Sequence, residues 1–125
     1  MGVAAKDPES YLPLTESVFH ILLALTDKER QGYGIMQEVK RRTKGQVKLG
    51  PGTLYGSIKR LLEGKWIEES TERPDPAIND ERRRYYRLSE LGKRIAAAEA
   101  RRIVDLVHQA REKKLLPDEA VGKLV

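Results

Sequence analysis

The side chains best suited to a polyanionic ligand gather in one stretch, Lys48 to Arg60. Gly50, Pro51 and Gly52 break the chain there, and Pro51 suits the first position of a helix. At about 100° per residue, Thr53, Gly56, Lys59 and Arg60 fall on one side of that helix. Leu54, Ile58, Leu61 and Leu62 fall on the other, with Tyr55 at a flank. Small residues at Gly52, Thr53 and Gly56 let a backbone come close to DNA, and a helix N-terminus offers amides to phosphate. Lys59 and Arg60 can reach phosphates or guanine edges, and the Tyr55 hydroxyl can face the sugar-phosphate backbone. A second cluster, Arg82, Arg83 and Arg84 beside Tyr85, follows an acidic, proline-containing stretch.

Plainer explanations exist for each. Lys59 and Arg60 could be a solvated helix face, Tyr55 could pack on the preceding helix, and the arginine run could merely discourage strand pairing. Charge segregation argues for more. From Lys40 to Lys65 the only acid is Glu63, whereas Glu68, Glu69, Glu72, Asp75, Asp80 and Glu81 face Arg73 alone. The whole chain carries a formal charge of +5, which favours polyanion partners through counterion release.

The elements that must position these residues follow from periodicity. Thr15 caps a first helix that is apolar nearly all round, from Val18 to Leu25, and should stop near Asp27. Asp27 to Gln31 reads as a turn, and a second helix starts near Gly32 with Ile35, Met36 and Val39 inward and Gly45 as its left-handed terminator. Val47 to Leu49 is a small strand or an extended linker. After the Pro51 helix, which Gly64 ends, Trp66–Thr71 and Arg83–Leu88 form a long-tipped hairpin. Tyr85 or Tyr86 packs in the core. Ser89 caps a long final helix that ends before Pro117.

On that last helix Ala96, Ile103 and Ala110 recur every seven residues, with Ala100, Leu106 and Val107 beside them. Such a seam packs on another helix, either the chain's own first helix or a second copy. Both hold if first and last helices of two subunits interleave, with Phe19 at the interface. The expected organisation is a lead over 1–14, a winged helix-turn-helix over 15–88, a dimerisation helix over 89–116 and a tail over 117–125. The fold class is α+β, mainly α.

Function classes also drop out. There is no cysteine, so disulfides and thiolate metal sites are excluded. His20 and His108 are too few and too far apart for a metal site, and no cofactor is expected. No nucleophile elbow, P-loop or zinc-type helix motif occurs, so the chain is not read as an enzyme. Neither a signal peptide nor a run of about 20 apolar residues is present, which makes a cytoplasmic, non-membrane protein the expectation.

The segments LTESVFHILLAL, GYGI, LGPGTLYGSIKRLLEGKWIEE and ERRRYYRLSELGKR together resemble the PadR family of transcriptional regulators, over roughly Leu14 to Ala98. The resemblance implies a winged helix-turn-helix, a homodimer built through the C-terminal helix, and a roughly palindromic DNA operator. It further implies repression relieved by a small aromatic or hydrophobic effector. The single long helix after the wing is similar to the short-tailed subfamily. One departure stands out: some relatives hold flat drugs between tryptophans of the long helix, and here that helix has no aromatic residue. Phe19 and Tyr11 are then the candidate wall residues of a dimer-interface pore. The alternative function is a winged-helix module for protein–protein contacts, its basic face serving an acidic partner.

Overall fold

The computed structural model describes residues 7–70, 84–117 and 119. Thr15 accepts the Val18 amide at 3.2 Å and opens helix α1, Glu16–Ala24. Before it lies a short 3-10 turn, Pro8–Tyr11, and a cis Leu12–Pro13 bond. Helix α2 spans Gly32–Arg42, and Gly45, at φ +80°, closes it by donating its amide to the Lys40 carbonyl at 2.7 Å. Helix α3 spans Pro51–Glu63, with Pro51 in its first turn. Ser89 accepts the Gly92 amide at 3.0 Å and starts helix α4, Glu90–Glu112.

Three short strands complete the domain: β1 (Arg30–Gln31), β2 (Ile67–Glu69) and β3 (Tyr85–Leu88). They form an antiparallel sheet in the order β1-β3-β2. Arg30 stands opposite Tyr86 on one side, and Ile67 opposite Leu88 on the other. Tyr86 and Leu88 point inward while Arg87 faces out, the period-two alternation of a half-buried strand.

Two expectations are corrected here. The segment Asp27–Gln31 is not wholly a turn, because Arg30 and Gln31 form β1 and pair with β3. Val47–Leu49 forms no strand; it is extended linker, with Leu49 tucked into the core. The short strand therefore precedes the second helix instead of following it. Two residues carry no alternation to read, so only their partner strand defines them. Helix α1 also ends earlier than Asp27, at Ala24.

Ile21, Leu22, Ile35, Val39, Leu54, Ile58, Ile67, Tyr86 and Ile95 meet in one cluster that joins all four helices to the sheet. Burying each such side chain contributes about 1.5–3 kcal/mol. Helix α4 divides at Glu99. Ile95, Ala98 and Glu99 are buried, while beyond them Ile103, Val104 and Val107 are half-exposed and Leu106 is 48% exposed. At 1.5 Å per residue the helix is roughly 35 Å long, so its second half projects past the domain that holds its first. Among the described residues no helix is long and apolar enough to cross a membrane.

Candidate nucleic-acid interface

Helix α3 presents one face outward. Pro51, Gly52, Thr53, Lys59 and Arg60 are exposed, and Gly56 is half-buried at the middle of the same arc. No side chain caps the helix at Gly50. The two glycines of this face are not there for internal packing. A β-carbon on Gly52 would meet nothing within 4 Å, and one on Gly56 only the Arg60 guanidinium at 3.7 Å. Glycine in a helix costs up to about 1 kcal/mol relative to alanine, so this face gives up stability to remain flat. Lys48 is exposed on the linker leading into it.

The flanking residues are fixed more tightly than expected. Tyr55 is half-buried, and its hydroxyl lies against the backbone of Gly32 at the start of α2. The expected outward-facing phenol is corrected: the ring spaces α3 from α2. Arg60 donates to Ser57 Oγ at 3.3 Å and has no acidic partner among the described residues. Of the hairpin cluster, Arg84 pairs with Glu69 across the strands at 3.3 Å, and Tyr85 is half-buried. Arg82 and Arg83 lie outside the described residues.

A basic cleft of about 970 Å³ adjoins this face, between α2 and the linker; Tyr33, Gln37, Lys40, Arg41, Lys44 and Lys48 line it. Its single acid, Glu38, is saturated by Arg41 at 2.6 Å, Arg42 at 3.4 Å and Arg30 at 3.7 Å. The Arg41 hydrogen bond foremost holds the Glu38 carboxyl below the usual carboxylate range. The cleft is therefore positive. Tyr33, 60% exposed, was missed from sequence, although its place between two glycines off the inward stripe of α2 was a visible signal.

The residues expected in a dimer seam separate into two groups. Ala96 packs on the chain's own core. Ala100 and Leu106 are exposed, and Phe19, Ile103, Val107 and Ala110 are half-buried. His20 has an intrachain role: its Nδ1 accepts from Arg42 at 3.2 Å, tying α1 to α2.

Comparison with known proteins agrees with this geometry. The model of the Transcriptional regulator PadR-like family matches residues 21–98. An uncharacterized protein X from Lysinibacillus sphaericus is 32% identical over 98 residues, covering 74% of this chain and 87% of that protein. A transcriptional regulator from Clostridium thermocellum superposes with a TM-score of 0.63 at 22% identity, over 77% of this chain and 89% of that one. Bacillus subtilis PadR in complex with operator DNA superposes with a TM-score of 0.58 at 21% identity, over 69% of this chain and 47% of that one. The chain belongs to the transcriptional regulator PadR-like family.

Proposed function

We propose that this protein is a sequence-specific DNA-binding regulator that acts as a homodimer in the cytoplasm, represses transcription from a pseudo-palindromic operator, and is released by a small effector. The observation that carries the reading is the outer face of α3, where two glycines that nothing inside the chain requires sit between Thr53, Lys59 and Arg60. A helix kept this flat suits a major groove about 12 Å wide, its N-terminal residues nearest the base edges. Lys48, Lys40, Lys44 and Tyr33 flank it with donors for phosphate, and the hairpin, Arg82 to Tyr85, reaches the neighbouring backbone or minor groove. The structure of Bacillus subtilis PadR with operator DNA supports duplex DNA as the partner.

Dimerisation rests on the second half of α4. Ile103, Leu106, Val107 and Ala110 form an apolar strip that this subunit does not cover. A second copy would bury it and set two α3 helices about one turn of duplex apart, or a multiple of that.

A gel-shift series with the promoter of the protein's own operon tests the reading. A specific complex that weakens steeply with salt is expected. A folded dimer that shifts no promoter fragment at any salt, or one that prefers acidic protein to duplex DNA on heparin competition, overturns it.

A further inference from the structure

A cavity of about 440 Å³ opens on the side of α3 that faces α1, walled by Tyr11, Leu14, Val18, Leu61 and Trp66. Tyr11 and Trp66 meet edge-to-face there, with centroids 5.1 Å apart and planes at 71°. That is an aromatic corner able to take a flat ring. The indole N–H of Trp66 has no acceptor among the described residues. The one charge at the cavity is Arg60, bound only to the neutral Ser57 hydroxyl; no acid lines the space. Volume, aromatic walls and a lone guanidinium specify the ligand class together.

We propose that this cavity binds a small planar molecule with one carboxylate, its ring on Trp66 and Tyr11 and its carboxylate on Arg60, and that this ligand competes with duplex DNA for the same guanidinium. The second half rests on the reading that α3 meets DNA. Arg60 lies on the exposed arc of α3 and at the cavity at once. A carboxylate that holds it inward removes a phosphate contact without moving the helix.

Trp66 is the only tryptophan, so its emission reports the cavity directly. Benzoate, benzamide and acetate are titrated against the full-length protein at constant ionic strength. Benzoate should change the emission saturably, benzamide about tenfold more weakly through loss of the charge-assisted bonds, and acetate not at all. Arg60→Gln should bring benzoate down to the level of benzamide. Equal responses to benzoate and benzamide, equal responses to benzoate and acetate, or an unchanged benzoate response in Arg60→Gln, overturn the site. Saturating duplex should weaken benzoate, and benzoate the duplex, by one common factor. Emission that responds to benzoate while both ligands bind independently overturns the competition alone. A protein that binds benzoate but no duplex leaves the cavity standing and sinks the DNA reading on which the competition rests.

Discussion

The phenolic oxygen of Tyr55 lies 2.6 Å from the point where a β-carbon on Gly32 would stand, and the ring carbon bearing it 2.8 Å away. Gly32 is buried and opens α2, so the two helices of the motif are spaced by a tyrosine ring resting on bare backbone. Gly32→Ala should force the helices apart and cost about 2–3 kcal/mol by overpacking. Gly34→Ala is the control. Its new methyl would meet only Arg30 Cβ at 3.6 Å, ordinary contact, and should be neutral or stabilising by up to about 1 kcal/mol. Urea unfolding of both variants decides the matter; equal losses would refute the spacing role.

Glu99 ties the long helix to the entry of the first. It is 2% exposed, accepts from Arg102 at 2.5 and 3.0 Å, and accepts the Leu14 amide at 3.1 Å. The Arg102 hydrogen bond outweighs burial and holds the carboxyl below its ordinary 4.5. A depressed carboxylate contributes stability that is present above the unfolded value and lost as pH falls through the folded one. Acid titration of the unfolding free energy should therefore show a loss below pH 4.5 that Glu99→Gln lacks. At neutral pH, Glu99→Gln should cost about 2–4 kcal/mol. Parallel acid limbs for the two proteins would show that another group is responsible.

Where periodicity was long, the sequence could be read. Helix α3 and the Thr15 and Ser89 caps lie where side-chain spacing puts them, because each is specified by its own residues. Strand β1 was illegible for the opposite reason. Arg30 and Gln31 are polar, and what makes them a strand is pairing with Tyr86 and Tyr85, more than fifty residues away. Tyr55 shows the same limit within the site. Its flank position was visible, but the direction of its hydroxyl depends on a glycine in another helix.

The uncovered half of α4 makes a prediction about assembly. Leu106, 48% exposed, lies where only a second chain could bury it. Leu106→Glu would place a charge in that seam and should convert a dimer to monomer by sedimentation equilibrium. The fold should survive, because nothing of this subunit's core touches that position, and far-UV circular dichroism should be unchanged. Operator affinity should fall with the dimer, since one half-site retains only its own contacts. A Leu106→Glu protein that remains dimeric would place the interface elsewhere.

Gly56 separates stability from binding. A β-carbon there meets only the Arg60 guanidinium, at ordinary contact distance. Gly56→Ala should therefore stabilise the protein by about 0.5–1 kcal/mol through helix propensity alone. Gly56→Leu should fold at least as well as the parent, but its side chain would occupy the space a groove edge needs, and operator binding should drop at least tenfold. Lys59→Ala should act differently, weakening binding to all sequences and reducing the log–log salt slope by about one unit. Denaturation midpoints and salt-dependent gel shifts on the three variants distinguish the two effects. If Gly56→Leu binds operator as the parent does, the flat face of α3 is not the surface that meets DNA.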